Sequence, residues 1–258
     1  MKEAILVVSF GTTYEKTRKL CIESTENEIK DRFKDFEIRR AFTSQMVIER
    51  LKKRDGIIID NVEEALEKIC KGETKDIYIQ SLHIIPGHEY EKMHRHIDSF
   101  KDKYNFNSIS VGKPLLYDEE DYKKVVEALD TKGLKEDEAI VFMGHGTDHI
   151  SDNCYSRLED EFKKQGFKNV YIGTVEGNET IEDIIPLLKE NKIRKVILKP
   201  FMLVAGDHAK NDMAGDEEDS WKNKLLKEGF KVETYVKGLG EEDSIRKLFV
   251  SHLEDIIE

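Results

Sequence analysis

Short apolar runs alternate with amphipathic segments along the whole chain, and this alternation is the strongest constraint on its fold. Two clear examples are residues 139–143 and residues 194–203, which contain or are bounded by glycine or proline. Apolar runs of this length between helical patterns are typical of buried strands in a parallel sheet. The sequence therefore predicts an α/β fold in which helices cover both faces of the sheet.

The same pattern predicts where the strands and helices lie. Strands are expected near residues 4–9, 36–42, 76–82, 108–111, 139–143, 169–174, 194–203 and 231–235. Helices are expected near residues 14–33, 44–54, 61–71, 89–103, 118–130, 151–165, 180–191, 216–229 and 241–257. Thr12 with Glu15, and Asn61 with Glu64, have capping-box spacing and predict two of the helix starts.

The two halves of the chain resemble each other in order and in detail. The matched segments are residues 10–13 with 145–148, 36–42 with 170–176, and 82–89 with 201–208. These matches pair Phe10 with His145, Phe42 with Glu176, and Glu89 with His208. We therefore expect an internal duplication that produces two similar α/β lobes.

Each predicted lobe has enough strands and helices to close its own core. We expect the lobes to be Rossmann-like, to comprise residues 1–125 and 126–258, and to face each other across a cleft. The last helix could pack back on the first lobe.

Composition narrows the range of partners and compartments. The net charge of −11 argues against a nucleic acid as the main partner, although a local basic patch could still bind an anionic small molecule. No apolar stretch reaches the length of a membrane span, and the N-terminus lacks the apolar core of a signal peptide. Cys21, Cys70 and Cys154 are far apart and form no CxxC pair, as expected of free thiols in the cytoplasm.

Three side chains that commonly bind metals follow predicted strands of the second half. His145, Glu176 and His208 each come just after an apolar run. The C-terminal ends of parallel strands meet at one edge of a sheet, where ligands bind. Two imidazoles and one carboxylate suit a divalent first-row metal and leave coordination positions open. Taken singly, each residue could serve only the fold, by capping a helix or bonding a loop carbonyl; the three together favour a metal site.

Three further residues could contribute to the predicted metal site. Gly144 and Gly146 flank His145, which indicates either close approach of the backbone to a ligand or a tight turn. Glu89, the match of His208, could accept protons from a ligand or steer a cation. A carboxylate at this position could equally stabilise a helix N-terminus.

Several other chemistries lack their motifs. The chain has no GxxxxGK[ST] loop, no GxGxxG after a strand and no GxSxG elbow, which disfavours nucleotide enzymes and serine hydrolases. The segment 88–92 is not HExxH, because its second histidine is missing. The acidic run 212–219 is expected to be a solvated helix start.

Four segments together resemble a known family. Residues 5–13, 143–147, 173–177 and 203–208 are similar to the anaerobic cobaltochelatases of cobalamin synthesis, relatives of ferrochelatase that insert cobalt into sirohydrochlorin. The resemblance extends from the first strand to the last helix. It implies two chelatase-like lobes related by pseudo-twofold symmetry, with the tetrapyrrole bound between them.

The resemblance also implies roles for individual residues. His145, Glu176 and His208 match the metal-site residues of the family and would hold Co(II), the substrate metal, and Glu89 matches an acidic residue across the cleft. Because metal insertion requires two N–H protons to leave, we expect His145 or Glu89 to accept the pyrrole protons. From their position at the end of the first strand, we also expect contacts to the tetrapyrrole from Phe10, Gly11, Thr12 and Tyr14, although Phe10 and Tyr14 could instead be packing residues. No organic cofactor, nucleic acid or membrane partner is expected.

Two alternatives stay open at this point. A related chelatase could insert Fe(II) or Ni(II), because ligands of this type do not choose among these metals. A carrier could bind the tetrapyrrole or the metal without turnover. The sequence also leaves the oligomeric state open, including a homo-oligomer.

Overall fold

The chain forms two parallel sheets in the computed structural model, which describes residues 3–72, 74, 76–101, 103–104 and 106–257. Each sheet has four strands, in the order β2-β1-β3-β4 and β6-β5-β7-β8. The strands are β1 (Glu3–Ser9), β2 (Glu37–Phe42), β3 (Asp76–Ser81), β4 (Ser108–Val111), β5 (Glu138–Gly144), β6 (Val170–Thr174), β7 (Lys195–Pro200) and β8 (Lys231–Thr234). The two sheets therefore share one topology, as expected of a duplication.

Helices connect the strands. They are α1 (Glu15–Thr17), α2 (Ser24–Arg32), α3 (Gln45–Asp55), α4 (Val62–Cys70), α5 (His88–Lys101), α6 (Glu119–Ala128), α7 (Asn153–Lys164), α8 (Ile181–Glu190), α9 (Trp221–Lys227) and α10 (Asp243–Ile257). Short π-helices span Arg18–Glu23 and Ala209–Met213, and 3-10 turns span Ile150–Asp152 and Leu239–Glu241. Among the described residues, no helix has the length and apolar character needed to cross a membrane.

Each sheet packs its apolar side chains into its own core. In the first, Ala4, Leu6 and Val8 of β1 pack with the buried faces of α4 and α5. In the second, Val141 and Met143 of β5 pack with residues of α8 and α9. Helix α10 packs against β3 and α2, and α7 packs against β6. The predicted fold class, parallel sheets flanked by helices in two similar lobes, is confirmed.

The chain divides into two compact units at positions that differ from the expected ones. The first unit comprises Met1–Tyr117 and Gly240–Glu258, and the second comprises Asp118–Leu239. The expected boundary at residue 125 falls inside α6, which belongs entirely to the second unit. Helix α10 belongs to the first unit, although it comes last in the chain.

Two of the predicted helices have different limits from those expected. The predicted helix 14–33 is interrupted by the π-helix Arg18–Glu23. The predicted helix 216–229 is reduced to α9, because the hydroxyl of Ser220 caps a helix that starts at the next residue. The acidic residues before Ser220 therefore lie largely outside the helix.

One of the two predicted capping boxes is present. Asn61 accepts a hydrogen bond from the backbone N–H of Glu64, and the Glu64 carboxylate accepts one from Asn61. The prediction for Thr12 and Glu15 was wrong, because α1 begins after Tyr14 and has no side-chain cap. The Thr12 hydroxyl instead accepts a bond from the Tyr14 N–H at 3.2 Å, a local turn that competes with capping.

Backbone bonds beyond the strands show which residues of the two units are equivalent. The Ser44 N–H donates to the Phe10 carbonyl at 3.3 Å, and the Glu176 N–H donates to the His145 carbonyl at 2.8 Å. Phe10 and His145 are therefore equivalent, as predicted. The predicted match of Glu176 to Phe42 was wrong by two positions, because β2 runs further along its sheet than the sequence match assumed. Glu176 corresponds to Ser44.

A second equivalence involves the segment after the third strand of each sheet. A helical turn begins after Gly87 in the first unit and after Gly206 in the second, with corresponding bonds to the two glycine carbonyls. Glu89 and His208 are the second residues of these turns. They hold equivalent positions, as the sequence match predicted.

Candidate metal centre

Three potential metal ligands meet at the C-terminal edge of the second sheet. His145, Glu176 and His208 each offer a ligand atom, and these atoms lie within 4.8 Å of one another. The two imidazole rings are nearly perpendicular, at 86°, with centroids 4.8 Å apart. Because metal–ligand bonds are about 2 Å long, small side-chain rotations would close this set around one ion.

The loop that carries His145 packs against the ring of Tyr155. The ring of Tyr155 fills the space where a Cβ on Gly144 would lie, at 2.4 Å. Burial raises the pKa of the Tyr155 phenol. The imidazole Nδ1 of His145 lies 3.0 Å from the Gly146 carbonyl oxygen, so the Nε2 atom is left for a metal.

The two glycines beside His145 serve the protein's own packing. Gly146 has a φ of +80°, and a Cβ at this position would lie 2.3 Å from the backbone nitrogen of Gly177. The close approach that the sequence indicated is therefore an approach of protein to protein. Gly144 packs against Tyr155 in the same way. Both glycines let the His145 loop lie against its neighbours.

The loops that carry His145 and Glu176 are joined by a buried carboxylate. Asp152 Oδ1 accepts a bond from the Thr147 N–H at 3.1 Å. Its Oδ2 accepts bonds from the backbone and side-chain N–H groups of Asn178, at 2.9 and 2.8 Å. One carboxylate thus connects the residue two places after His145 to the residue two places after Glu176. Hydrogen bonds to a charged acceptor are stronger than neutral ones, so this connection restricts both loops.

His208 is oriented by an acidic side chain of its own helical turn. Its Nδ1 lies 2.5 Å from Asp212 Oδ2. The turn continues into the π-helix Ala209–Met213, in which Ala209 and Met213 are completely buried.

The three ligands are accessible from outside the protein. The side chains of His145, Glu176 and His208 are 48%, 59% and 32% exposed. A closed structural metal site would bury its ligands and normally has four of them. Three accessible ligands suit a site that binds a metal ion and then releases it.

The remaining predicted catalytic residue, Glu89, lies in the first unit, in the opening turn of α5. Its Oε2 atom is buried and makes no hydrogen bond to the residues that the structure describes. The nearest cation is Lys92, whose Nζ lies 3.6 Å from that oxygen and 2.7 Å from the Thr43 carbonyl. A carboxylate oxygen without a hydrogen bond retains its capacity to accept a proton.

The predicted substrate-contacting residues form the loop after β1. Phe10 exposes 45% of its surface, whereas Thr12 is buried and its hydroxyl is occupied by the Tyr14 N–H. Gly11 has a φ of +94°, and a Cβ there would overlap the Phe42 ring at 2.4 Å. Gly11 and Thr12 therefore shape the loop, and Phe10 offers an exposed aromatic surface.

Two acids of this centre, Asp152 and Asp212, are not among the residues predicted from the sequence. Asp212 stands four residues after His208 in a helical segment, a spacing that places two side chains together and could have indicated the pair. The acidic run 212–219 is predicted to be a solvated helix start, but the structure pairs its first residue, Asp212, with His208. Asp152 has no such signal, because its partners are backbone groups of two separate loops.

Comparison with known proteins supplies the family. The sequence model described as cobalt chelatase (CbiK) matches residues 3–258. The chain belongs to the cobalt chelatase family. The sirohydrochlorin cobaltochelatase of Salmonella typhimurium is 40% identical over 259 aligned positions, which cover 100% of this chain and 97% of that protein. The sirohydrochlorin cobaltochelatase CbiKC of Nitratidesulfovibrio vulgaris is 32% identical, with coverage of 98% and 89%.

Solved structures agree with this family at the level of the fold. SirB from Bacillus subtilis superposes with a TM-score of 0.67 at 16% identity, covering 99% of this chain and 95% of SirB. CbiX, described as the terminal enzyme of sirohaem biosynthesis in denitrifying bacteria, gives a TM-score of 0.58 at 13% identity, with 98% of each chain covered. At these identities the likeness supports the chelatase fold alone.

Proposed function

We propose that this cobalt chelatase inserts Co(II) into sirohydrochlorin, with His145, Glu176 and His208 holding the metal before transfer. The observation that carries this proposal is the convergence of three partly exposed ligands, whose ligand atoms lie within 4.8 Å of one another, at one sheet edge. The substrate is proposed because the relatives that match nearly the whole chain are sirohydrochlorin cobaltochelatases.

The ligand set suits the delivery of a metal ion. Two imidazoles and one carboxylate bind Co(II) well enough to displace part of its water, and they leave coordination positions for pyrrole nitrogens. Because ligand imidazoles must be neutral, metal uptake weakens in acid. The partial exposure of all three side chains keeps the metal within reach of a second ligand.

Metal insertion also requires a proton acceptor. As Co(II) enters, two pyrrole N–H bonds break and both protons leave, so the charge on the macrocycle nitrogens balances that of the metal. We assign this role to Glu89, whose buried Oε2 has no hydrogen bond among the described residues, or to His145. Glu89 and His208 hold equivalent positions, each in the helical turn that begins after the third strand and loop of its own sheet.

The tetrapyrrole is proposed to contact the loop after β1. Phe10 offers an exposed ring that can stack on a flat conjugated ligand. Gly11, Thr12 and Tyr14 fix the path of the loop that presents this ring. The reaction is proposed to take place in the cytoplasm, in keeping with three cysteines that are free thiols.

The test is an anaerobic assay that follows the absorption spectrum of sirohydrochlorin after addition of Co(II), Fe(II) or Ni(II). We expect multiple turnovers per protein molecule, with Co(II) the fastest. Tight binding of sirohydrochlorin without insertion would indicate a carrier, and faster Fe(II) or Ni(II) insertion would indicate a different chelatase.

A pair of histidine variants connects this activity to the site. His145→Ala is expected to abolish insertion without unfolding the protein, because 48% of the His145 side chain is exposed. The matched control is His96→Ala, a partly exposed histidine of α5 in the first unit. Normal insertion by His145→Ala would remove the metal-site assignment.

A further inference from the structure

His208 differs from the other histidine of the centre in what its Nδ1 atom faces. The His208 Nδ1 atom lies 2.5 Å from a carboxylate oxygen of Asp212, whereas the His145 Nδ1 atom lies 3.0 Å from a neutral backbone carbonyl. An ionised carboxylate can only accept a hydrogen bond, so the proton of the His208 ring lies on Nδ1. The lone pair of His208 is therefore on Nε2, the atom that remains to bind a metal.

The local backbone holds this pair in place. His208 and Asp212 are four residues apart, and each is followed by a completely buried residue, Ala209 and Met213. Met213 belongs to the core formed with β5 and α9. The π-helix Ala209–Met213 therefore fixes one of its faces in the core and presents His208 and Asp212 together beside it. Single-turn π-helices within helical segments occur often at functional sites.

A carboxylate hydrogen-bonded to Nδ1 of a metal-binding imidazole changes how its Nε2 atom binds the metal. It fixes the tautomer and the ring orientation, and it makes the other nitrogen a stronger donor. The carbonyl that faces His145 also fixes a tautomer, but it carries no charge. A carboxylate oxygen of Glu176 lies 3.8 Å from the His145 Nδ1 atom, beyond hydrogen-bond distance, and the His145 ring is more exposed than that of His208. The two imidazoles are therefore unequal as metal ligands.

We propose that Asp212 is a positioning residue that makes His208 the anchoring ligand of the metal centre. This inference rests on the proposed function, because it takes His208 as a metal ligand. Asp212 acts only through the His208 ring.

The experiment is an anaerobic titration of the full-length protein with Co(II), followed by the visible absorption bands of the bound ion. Asp212→Ala is expected to weaken Co(II) binding by about 10- to 100-fold and to change the shape of these bands. Asp212→Asn retains an oxygen that can accept the Nδ1–H bond, so it is expected to recover part of the affinity. In the insertion assay, the KM for Co(II) is expected to rise while the KM for sirohydrochlorin stays unchanged.

Two controls separate the possible results. Asp216→Asn removes the same charge from a fully exposed side chain a few residues away, and it is expected to bind Co(II) normally. In a His208→Ala background, Asp212→Ala is expected to cause no further loss of affinity, because the residue through which it acts is gone.

The inference and the proposed function fail in different ways. If His208→Ala binds Co(II) as tightly as the wild type, the metal site itself is wrong. If His208→Ala loses affinity while Asp212→Ala retains it, only the role of Asp212 is wrong. A further loss in the double variant would also overturn that role, because it would show that Asp212 does not act through His208.

Discussion

Histidines in this chain differ sharply in their surroundings. His145 exposes about half of its side chain at the edge of the second sheet, whereas His83 is buried at the edge of the first, at 9% exposure. The His83 Nδ1 atom lies 2.8 Å from the Ser81 hydroxyl, and its Nε2 atom lies 3.4 Å from the Thr43 hydroxyl. Burial, with a smaller effect from Lys92, lowers the pKa of His83 to about 4. His83 is therefore a neutral structural residue near pH 7.

The buried His83 should make the protein less stable in acid. The pKa of His83 is about 4 in the folded state, against about 6.5 when unfolded, so the unfolded state binds more protons between these values. The resulting stability is fully present above pH 6.5 and is lost as the pH falls towards 4. Its size is of order 3 kcal/mol. Urea denaturation of the wild type and His83→Gln at pH 7.5 and pH 5 tests this.

The free energy of unfolding should change less between pH 7.5 and pH 5 in His83→Gln than in the wild type, because glutamine does not titrate. Other histidines and carboxylates titrate in both proteins, so they cancel in this comparison. Equal pH dependence in the two proteins would contradict a neutral, buried His83.

Glu89→Gln tests the role of this carboxylate as a proton acceptor. The amide keeps the size of the side chain but cannot accept a proton, so the insertion rate should fall by about 100-fold or more. The affinity for sirohydrochlorin, measured by fluorescence quenching, should change much less. Glu127→Gln, an exposed position on α6, is the matched control. Equal losses of rate and affinity would argue for a role in binding instead.

At the scale of elements, the strands were predictable and the turns after them were less so. Every buried strand contains a continuous or alternating apolar run, so the eight predicted positions agree with the structure to within a few residues. The π-helices were not predicted, because one extra residue per turn leaves no distinct apolar period in so short a segment. Thr12 illustrates the same limit, since its hydroxyl bonds within its own turn and does not cap α1.

For the candidate site too, the residues that follow strands were predictable, and the contacts between loops were not. His145 and Glu176 come one and two residues after β5 and β6, whose ends share a sheet edge, so strand position brings these two together. His208 comes eight residues after the end of β7 at Pro200, so its place at the same edge also depends on the loop between them. Asp152 was not predictable, because its role depends on how the loops after β5 and β6 fold against each other. The buried carboxylate that connects these loops is visible only in three dimensions.

Asp152→Asn should loosen both ligand loops. An amide in place of the carboxylate puts its NH2 group against backbone N–H donors, and leaving such a buried group unpaired costs about 1–3 kcal/mol. We expect a lower Tm and weaker Co(II) binding, because the His145 and Glu176 loops no longer share a fixed connection. Thermal denaturation and Co(II) titration measure the two effects.

Asp160→Asn is the control for this change, because Asp160 is an exposed acid on α7 close to Asp152 in the chain. It should leave both quantities unchanged. Unaltered Co(II) affinity in Asp152→Asn, despite a lower Tm, would show that the connection serves stability alone.

At the scale of the whole molecule, the chain order and the compact units do not coincide. Helix α10 ends the chain but belongs to the first unit, where Ile245, Phe249 and Leu253 are completely buried. The sequence match between the halves extends to the third strand of each sheet. It contains no signal that assigns the last helix of the chain to the first unit. The boundary between Tyr117 and Asp118 lies before α6, whereas the expected boundary at residue 125 lies inside that helix.

Phe249→Ala tests the assignment of α10 to the first unit. Loss of this buried ring should cost about 3–5 kcal/mol. In hydrogen exchange, backbone protection should fall in β1 and β3 more than in β5 and β7. Phe162→Ala, a completely buried ring on α7 of the second unit, should give the reverse pattern. Equal loss in both sheets from either variant would contradict two separate cores.

The most direct measurement of the central claim is the position of cobalt in a crystal of the protein soaked with Co(II), from anomalous diffraction at the cobalt edge. We expect one strong peak about 2 Å from the Nε2 atoms of His145 and His208 and from a carboxylate oxygen of Glu176. The peak should be absent from crystals of His145→Ala. Cobalt bound elsewhere, with no density between these three side chains, would contradict the assignment of the metal centre.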